Sequence, residues 1–218
     1  MWKKRVKAGL GAAIRFTDPI HVTFGPPRLL VLMYHRVLPF RETLQPTIQP
    51  GMVVTAETFE RQLQWIRSSY TILPLSEWLD RASNGASLPR RACAITFDDG
   101  WYDNYRYALP ILRRNDVPAT IFATSSRIGT KKWFWPERLA RLLRSGIDIP
   151  ALQLPSALQR DLELSNAEKQ TLTEFGIDTA IGHAKAWPDA ELEEILDVAE
   201  QSCGLGSPGE RQLLTWSE

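Results

Sequence analysis

The sequence is short of cysteine, of histidine and of long apolar runs, and these shortages narrow what it can be. Its 2 cysteines, Cys93 and Cys203, give 218 residues no disulfide framework. They can form one bridge at most, and two buried free thiols are the expected state. No stretch approaches the ~18 consecutive apolar residues of a membrane-spanning helix. A clustered basic stripe of the kind that follows nucleic acid is missing too. The 26 Lys and Arg nearly balance the 25 Asp and Glu, and the basic residues before position 130 are scattered. What is present is ordinary globular usage, 44% hydrophobic and 23% charged, which excludes disordered, collagen-like and coiled-coil chains. A chain this long buries about 70% of its unfolded surface, enough for one domain, or one domain with a small lobe, without covalent staples.

The near-zero total charge hides an uneven distribution. Residues 1–130 carry a net +7 and residues 131–218 a net −6, as two differently solvated lobes would. The N-terminus opens with Lys3, Lys4, Arg5 and Lys7 and then an Ala- and Gly-rich stretch. That is the basic start of a signal peptide. However, Arg15 interrupts a weak apolar run and no small-residue cleavage site follows. Residues 1–28 therefore read as a surface helix or frayed arm ending at Pro26-Pro27, with membrane-surface contact the lesser reading. No compartment is assigned by these features.

Beyond the arm, buried strands alternate with helices. Leu29 to Tyr34 reads as a strand buried on both faces, as do Ala92 to Phe97 and Pro118 to Thr124. Residues 38–54, with three prolines and Gly51, read as an extended loop. From Glu57, Phe59, Leu63 and Ile66 recur at helical spacing. A short strand at 71–73 ends at Pro74, Ser76 is placed to cap a helix through Leu79, and Asn84-Gly85 makes a turn. Residues 104–115 read as a helix that tolerates Pro110 near its first turn. This order implies an α/β fold, a parallel sheet or barrel with helices outside.

After Thr130 the strand signal stops. Residues 136–145 form a helix with Leu139, Leu142 and Leu143 on one face and Gly146 as its stop. Ser165-Asn166-Ala167-Glu168 is a capping-box pattern. Pro188 opens a helix with Leu192, Ile195, Leu196 and Ala199 inward and Gly204 at its end. Residues 131–212 thus look like a helical segment inserted between barrel units. Thr215-Trp216-Ser217-Glu218 is again Ser/Thr-x-x-Glu, so 213–218 reads as the start of a further barrel helix, cut off at its N3 position.

Thr96-Phe97-Asp98-Asp99-Gly100 carries the clearest chemistry. Neighbouring side chains on a strand point to opposite faces, so two adjacent carboxylates serve one site only where the strand turns, and Gly100 supplies the turn. Two anions at the mouth of an apolar core are costly unless a cation or proton shares them. A divalent ion is the natural partner, with one carboxylate as ligand and the other as base. The alternative is a helix N-cap pair, supported by Asp103. Aspartyl-nucleophile and EF-hand motifs fail on spacing. Tyr34-His35-Arg36 also follows a strand, and in a parallel sheet it lies on the same rim. His21 and His183 have no such position. Trp133-Phe134-Trp135 could stack on sugar, but reads first as an anchor for the helical segment.

The stretches VLMYHRV, FERQLQWIRSSYTILPLSEWL and AITFDDGWYDNYRYALPILRRNDVPATIFAT together resemble the polysaccharide deacetylases of the NodB-homology group, carbohydrate esterase family four. The resemblance covers residues 29–130, with WFWPERLARLL and LLTWSE similar to a helical insert and its return. It implies an incomplete distorted (β/α) barrel with an inserted helical segment, and metal-dependent removal of acetyl groups from N-acetylated polysaccharides. By that match Asp98 is the general base and Asp99 a metal ligand, with His35, Tyr34, Trp101 and Tyr102 at the substrate rim. The implied cofactor is a divalent metal, zinc by default, and the partner an N-acetylated glycan. The family is often exported. Its metal is completed by two histidines about four residues apart, whereas His21, His35 and His183 form no such pair. The expectation is therefore an amino-terminal part of such an enzyme with an incomplete site, or else a non-catalytic glycan- or protein-binding remnant.

Overall fold

The computed structural model describes residues 26–44, 48, 50–145, 156, 159–160, 174–205 and 209–218. The arm before Pro26, the Gly146 stop and the 165–168 capping box lie outside these residues. The described chain is an α/β fold built on parallel strands. Strand β5 (Arg91–Asp99) is the axis. Strand β1 (Arg28–Tyr34) runs parallel along one edge, with Leu29 opposite Ala92 and Tyr34 opposite Phe97. The other edge is divided: β4 (Thr71–Ile72) pairs with Ala92 and Cys93, and β6 (Ala119–Ala123) pairs from Ile95 to Asp99. A second parallel pair joins β2 (Arg36–Leu38) to β3 (Val53–Thr55). It closes the two ends of the stretch read as a loop, which also contains α1 (Phe40–Thr43). Strands of three residues are too short to leave an alternation in the sequence.

Helix α2 (Ala56–Ser69) follows β3, and its first turn is capped by Thr55, whose hydroxyl accepts from the Thr58 N–H. The expected stripe Phe59, Leu63 and Ile66 is buried against Cys93, Ile95 and Phe97 of β5. Helix α3 (Leu75–Ser83) starts one residue before Ser76, behind Pro74, with no side-chain cap, and runs past Leu79 to the Asn84-Gly85 turn. The expected helix at 104–115 is divided into a π-helical turn, Asn104–Ala108, and α4 (Leu109–Arg114) with Pro110 in its first turn. The wider turn suits a proline, which has no N–H to give the preceding turn.

Two strands differ from expectation. Val31 and Met33 of β1 are 46% and 60% exposed, and Ile121 and Phe122 of β6 are 43% and 53% exposed. By contrast β5 is buried from Ala92 to Phe97, because it has neighbours along both edges. Among the described residues β1 and β6 each pair with one strand of this sheet. Cys93 is buried as expected, but Cys203 is only partly so, because it lies in the C-cap of the last helix.

The helical segment has a core of its own. Helices α5 (Trp135–Arg144), α6 (Glu174–Ala184) and α7 (Asp189–Ser202) bury Leu139, Leu142, Ile177, Leu192, Leu196 and Ala199 together. Ile195 packs at its margin. Arg138, buried in this layer, is held by Glu193, Asp197 and Glu200 of α7. Among the described residues no helix is long and apolar enough to cross a membrane.

An apolar sheet face and two singly paired edges favour association. The 218-residue chain is expected to self-associate at micromolar concentration in sedimentation velocity, and Met33→Gln with Phe122→Ser to reduce it. A monodisperse, cooperatively melting wild-type monomer contradicts this.

Candidate active site

The parallel register of β1 and β5 decides where the two motifs meet. With Tyr34 opposite Phe97, the next residues are His35 and Asp98. His35 Nε2 lies 3.9 Å from Asp98 Oδ2, and each side chain is about a quarter exposed at the strand ends. That separation is too long for a hydrogen bond and short enough for a charge interaction when the imidazole is protonated. The His35 carbonyl accepts from Asn104 Nδ2 at 2.9 Å, which fixes the loop after β1 to the π-helical turn.

At Asp99 the chain leaves the strand in a left-handed conformation, φ 71°, unusual for a residue with a side chain. Trp101 Nε1–H donates to Asp99 Oδ2 at 3.0 Å and holds the carboxylate in that turn. Gly100 follows at φ 79°, where a Cβ would meet Ile128 Cδ1 at 3.0 Å and Ala123 Cβ at 3.2 Å. Glycine is therefore required twice over, by conformation and by space. The returning segment closes the turn: Leu214 N–H donates to the Gly100 carbonyl and Tyr102 N–H to the Gln212 carbonyl. Neither aspartate is a helix N-cap.

Around this turn lies a buried charged layer. The Arg36 guanidinium sits 4.2 Å from the centre of the Trp101 ring, and its Nε donates to Asp103 Oδ2 at 2.8 Å. Asp103 Oδ1 accepts from the Val37 N–H. Burial pushes the Asp103 carboxyl up, while Arg36 and the Val37 N–H oppose the shift. Helix α5 delivers Glu137, 5% exposed, whose Oε2 has no hydrogen-bond partner. Burial first, and the nearby Asp99 charge last, raise its pKa to about 7 against the pull of Arg36.

The structure brings together His35, Asp98 and Asp99, and turns other expected rim residues elsewhere. Tyr34 alternates away from His35, and its ring packs against Phe59 and Phe97 on the α2 side. Its hydroxyl donates to Gln62, and burial pushes its pKa up to about 12. Trp101 is 1% exposed, buried with Ile128, Leu213 and Leu214. Its large indole fills the space under Arg36 instead of facing substrate. Tyr102 remains near the surface with its ring under Arg211. Within Trp133-Phe134-Trp135 the outer two are buried, their indoles donating to the Glu210 carbonyl and to Asp189, as an anchor requires. His183 lies on α6. The Arg36–Asp103 pair and Glu137 were missed. Glu137 left no local signal, because it lies on the side of the helix opposite Leu139, Leu142 and Leu143, where a charged residue reads as solvated.

Residues 85–151 match the family model described as polysaccharide deacetylase. That stretch is similar to part of a polysaccharide deacetylase domain. YxkH of Bacillus subtilis (strain 168), named for the same family, is 29% identical over 128 residues, 58% of this chain and 43% of its own length. The poly-beta-1,6-N-acetyl-D-glucosamine N-deacetylase of Staphylococcus epidermidis is 33% identical over 78 residues, 35% of this chain and 27% of its own. The chain thus spans less than half the length of these relatives. Among solved structures, IcaB from Ammonifex degensii is similar at 22% identity with a TM-score of 0.42, covering 80% of this chain and 81% of that one. The Streptococcus pyogenes deacetylase PplD gives 19% and 0.39, covering 81% and 83%.

A catalytic zinc usually has three protein ligands and a water. Among the described residues no three His, Cys, Asp or Glu side chains converge in a metal-holding group. The Asp98–Asp99 rim with His35 does not by itself make a complete catalytic metal site.

Glu137 makes the stability pH-dependent. Its folded pKa stands above its ordinary value of 4.5, so folding favours the protonated acid. Stability is then full below about pH 4.5 and falls as pH rises through about 7, by at most ~3 kcal/mol. Glu137→Gln is expected to raise the melting temperature at pH 8 and leave it unchanged at pH 4. Equal effects at both pH values contradict this.

Proposed function

We propose that this chain supplies the base-bearing rim of a metal-dependent hydrolase that removes acetyl groups from N-acetylated polysaccharides. The observation that carries the reading is the register of β1 against β5. His35 stands beside Asp98 at the C-terminal strand ends, next to the strained Asp99 turn, and the two aspartates lie inside residues 85–151 that match the family model. Asp98 is the group able to take a proton from water as it attacks the acetyl carbonyl. Asp99, held by the Trp101 indole, keeps one carboxylate oxygen outside that bond and is the ligand that the family resemblance assigns to the divalent ion, by preference zinc. The staphylococcal relatives are named for poly-beta-1,6-N-acetyl-D-glucosamine, which supports an N-acetylated glycan as substrate.

General base catalysis alone contributes roughly 10²–10⁴-fold, far below what enzymatic amide hydrolysis requires. The lack of three converging donors among the described residues also favours a second reading, a domain that binds glycan without hydrolysing it. The test is acetate release from N-acetylglucosamine oligomers with added zinc or cobalt. It compares the 218-residue chain with one lengthened to include a His-x-x-x-His pair. The short chain is expected to show no turnover, and Asp98→Asn to cost the longer one ~10²–10⁴-fold. Metal-dependent turnover by the short chain that disappears in Asp99→Ala overturns the incomplete-site reading. An inactive longer chain that still binds the oligomers supports the second.

A further inference from the structure

The segment after β1 and the turn after β5 are tied together by one buried carboxylate. Asp103, 4% exposed, stands directly before the π-helical turn Asn104–Ala108. Its Oδ1 accepts from the Val37 N–H at 2.9 Å and its Oδ2 from Arg36 Nε at 2.8 Å, so both oxygens are fixed. Beside it, Asn104 Nδ2 donates to the His35 carbonyl at 2.9 Å. Two adjacent side chains thus hold three consecutive residues, His35 to Val37. Arg36 is buried as well, and its guanidinium lies 4.2 Å from the centre of the Trp101 ring. That ring gives its Nε1–H to Asp99 Oδ2 at 3.0 Å. A guanidinium is attracted to an aromatic ring only while it stays over the face. The Asp103 contact holds it there, because separating a buried pair leaves both charges uncompensated.

We propose that Asp103 is a positioning residue of the rim, which keeps Arg36 over Trp101 and thereby keeps the Trp101 indole on Asp99. Asp103 acts through these two side chains and touches no reacting atom. The π-helical turn that it leads into is then part of the site's supporting structure, a placement common for such turns. The inference rests on the reading of Asp98–Asp99 as a deacetylase rim, but it is tested without turnover, so the two can fail separately.

The experiment follows the Trp101 indole N–H in ¹⁵N-labelled protein, assigned by its loss in Trp101→Phe. Arg36→Leu combined with Asp103→Asn removes both charges together, so neither is left buried alone, and the new amide oxygen can still accept from the Val37 N–H. In this double variant the resonance is expected to move and its exchange with solvent to quicken about tenfold, while the chain still melts cooperatively. Asp103→Asn alone should displace the resonance equally, because Asp103 reaches the indole only through Arg36. Ile111→Val, which loosens the core beneath the helix that follows the π-helical turn, should lower the melting temperature and leave the Trp101 signal in place. An unmoved Trp101 resonance in the double variant overturns the proposal, as does an unmoved one in Asp103→Asn. So does the same displacement in Ile111→Val, or a double variant that fails to fold, since either makes the Arg36–Asp103 pair a packing element of the core. If Asp103→Asn alone fails to fold, the double variant decides.

Discussion

The indole of Trp101 has one hydrogen bond to give, and it gives it to Asp99. That contact offsets the unfavourable left-handed backbone at Asp99, and several other features converge on it. Arg36 covers one face of the ring, Phe134 at the start of α5 packs against it, and Leu213 pairs with its backbone. Sites of this kind commonly hold strain that surrounding packing must compensate. Here the compensation comes from three other stretches of chain, so the position of one carboxylate depends on contacts far apart in sequence.

Much of this was legible in the sequence. The apolar run ending in Asp98-Asp99-Gly100 gave a strand and a turn, and Phe59, Leu63 and Ile66 gave the helix that covers it. Two parallel strands followed by polar motifs were enough to place His35 and Asp98 on one rim. Burial was less legible. Val31, Met33, Ile121 and Phe122 have the composition of core residues, and composition does not record whether a neighbouring strand lies along an edge. Paired short strands such as β2 and β3 leave too few residues for a period. Partners distant in sequence, such as Arg36 with Asp103, leave no local trace at all.

Trp101 and Tyr34 show why motif proximity and site membership differ. Both flank residues of the rim, and each has an aromatic side chain suited to stacking on a sugar. The strand's alternation sends Tyr34 to the opposite face, and the turn at Gly100 swings Trp101 inward. Spacing of one or two residues near a strand end is enough to exchange a surface role for an interior one.

The described fold has two main apolar clusters that share no residue, one between β5 and helices α2 and α4, the other among α5, α6 and α7. Proteins open in cooperative units that follow such divisions, each with its own free energy. The rim stands at the seam, with Asp98 on the strand of the first unit and Phe134 on the helix of the second. Local opening of the helical unit alone removes Phe134 from Trp101 while the sheet stays folded. The lifetime of an ordered Asp99 is therefore set by whichever unit opens more often.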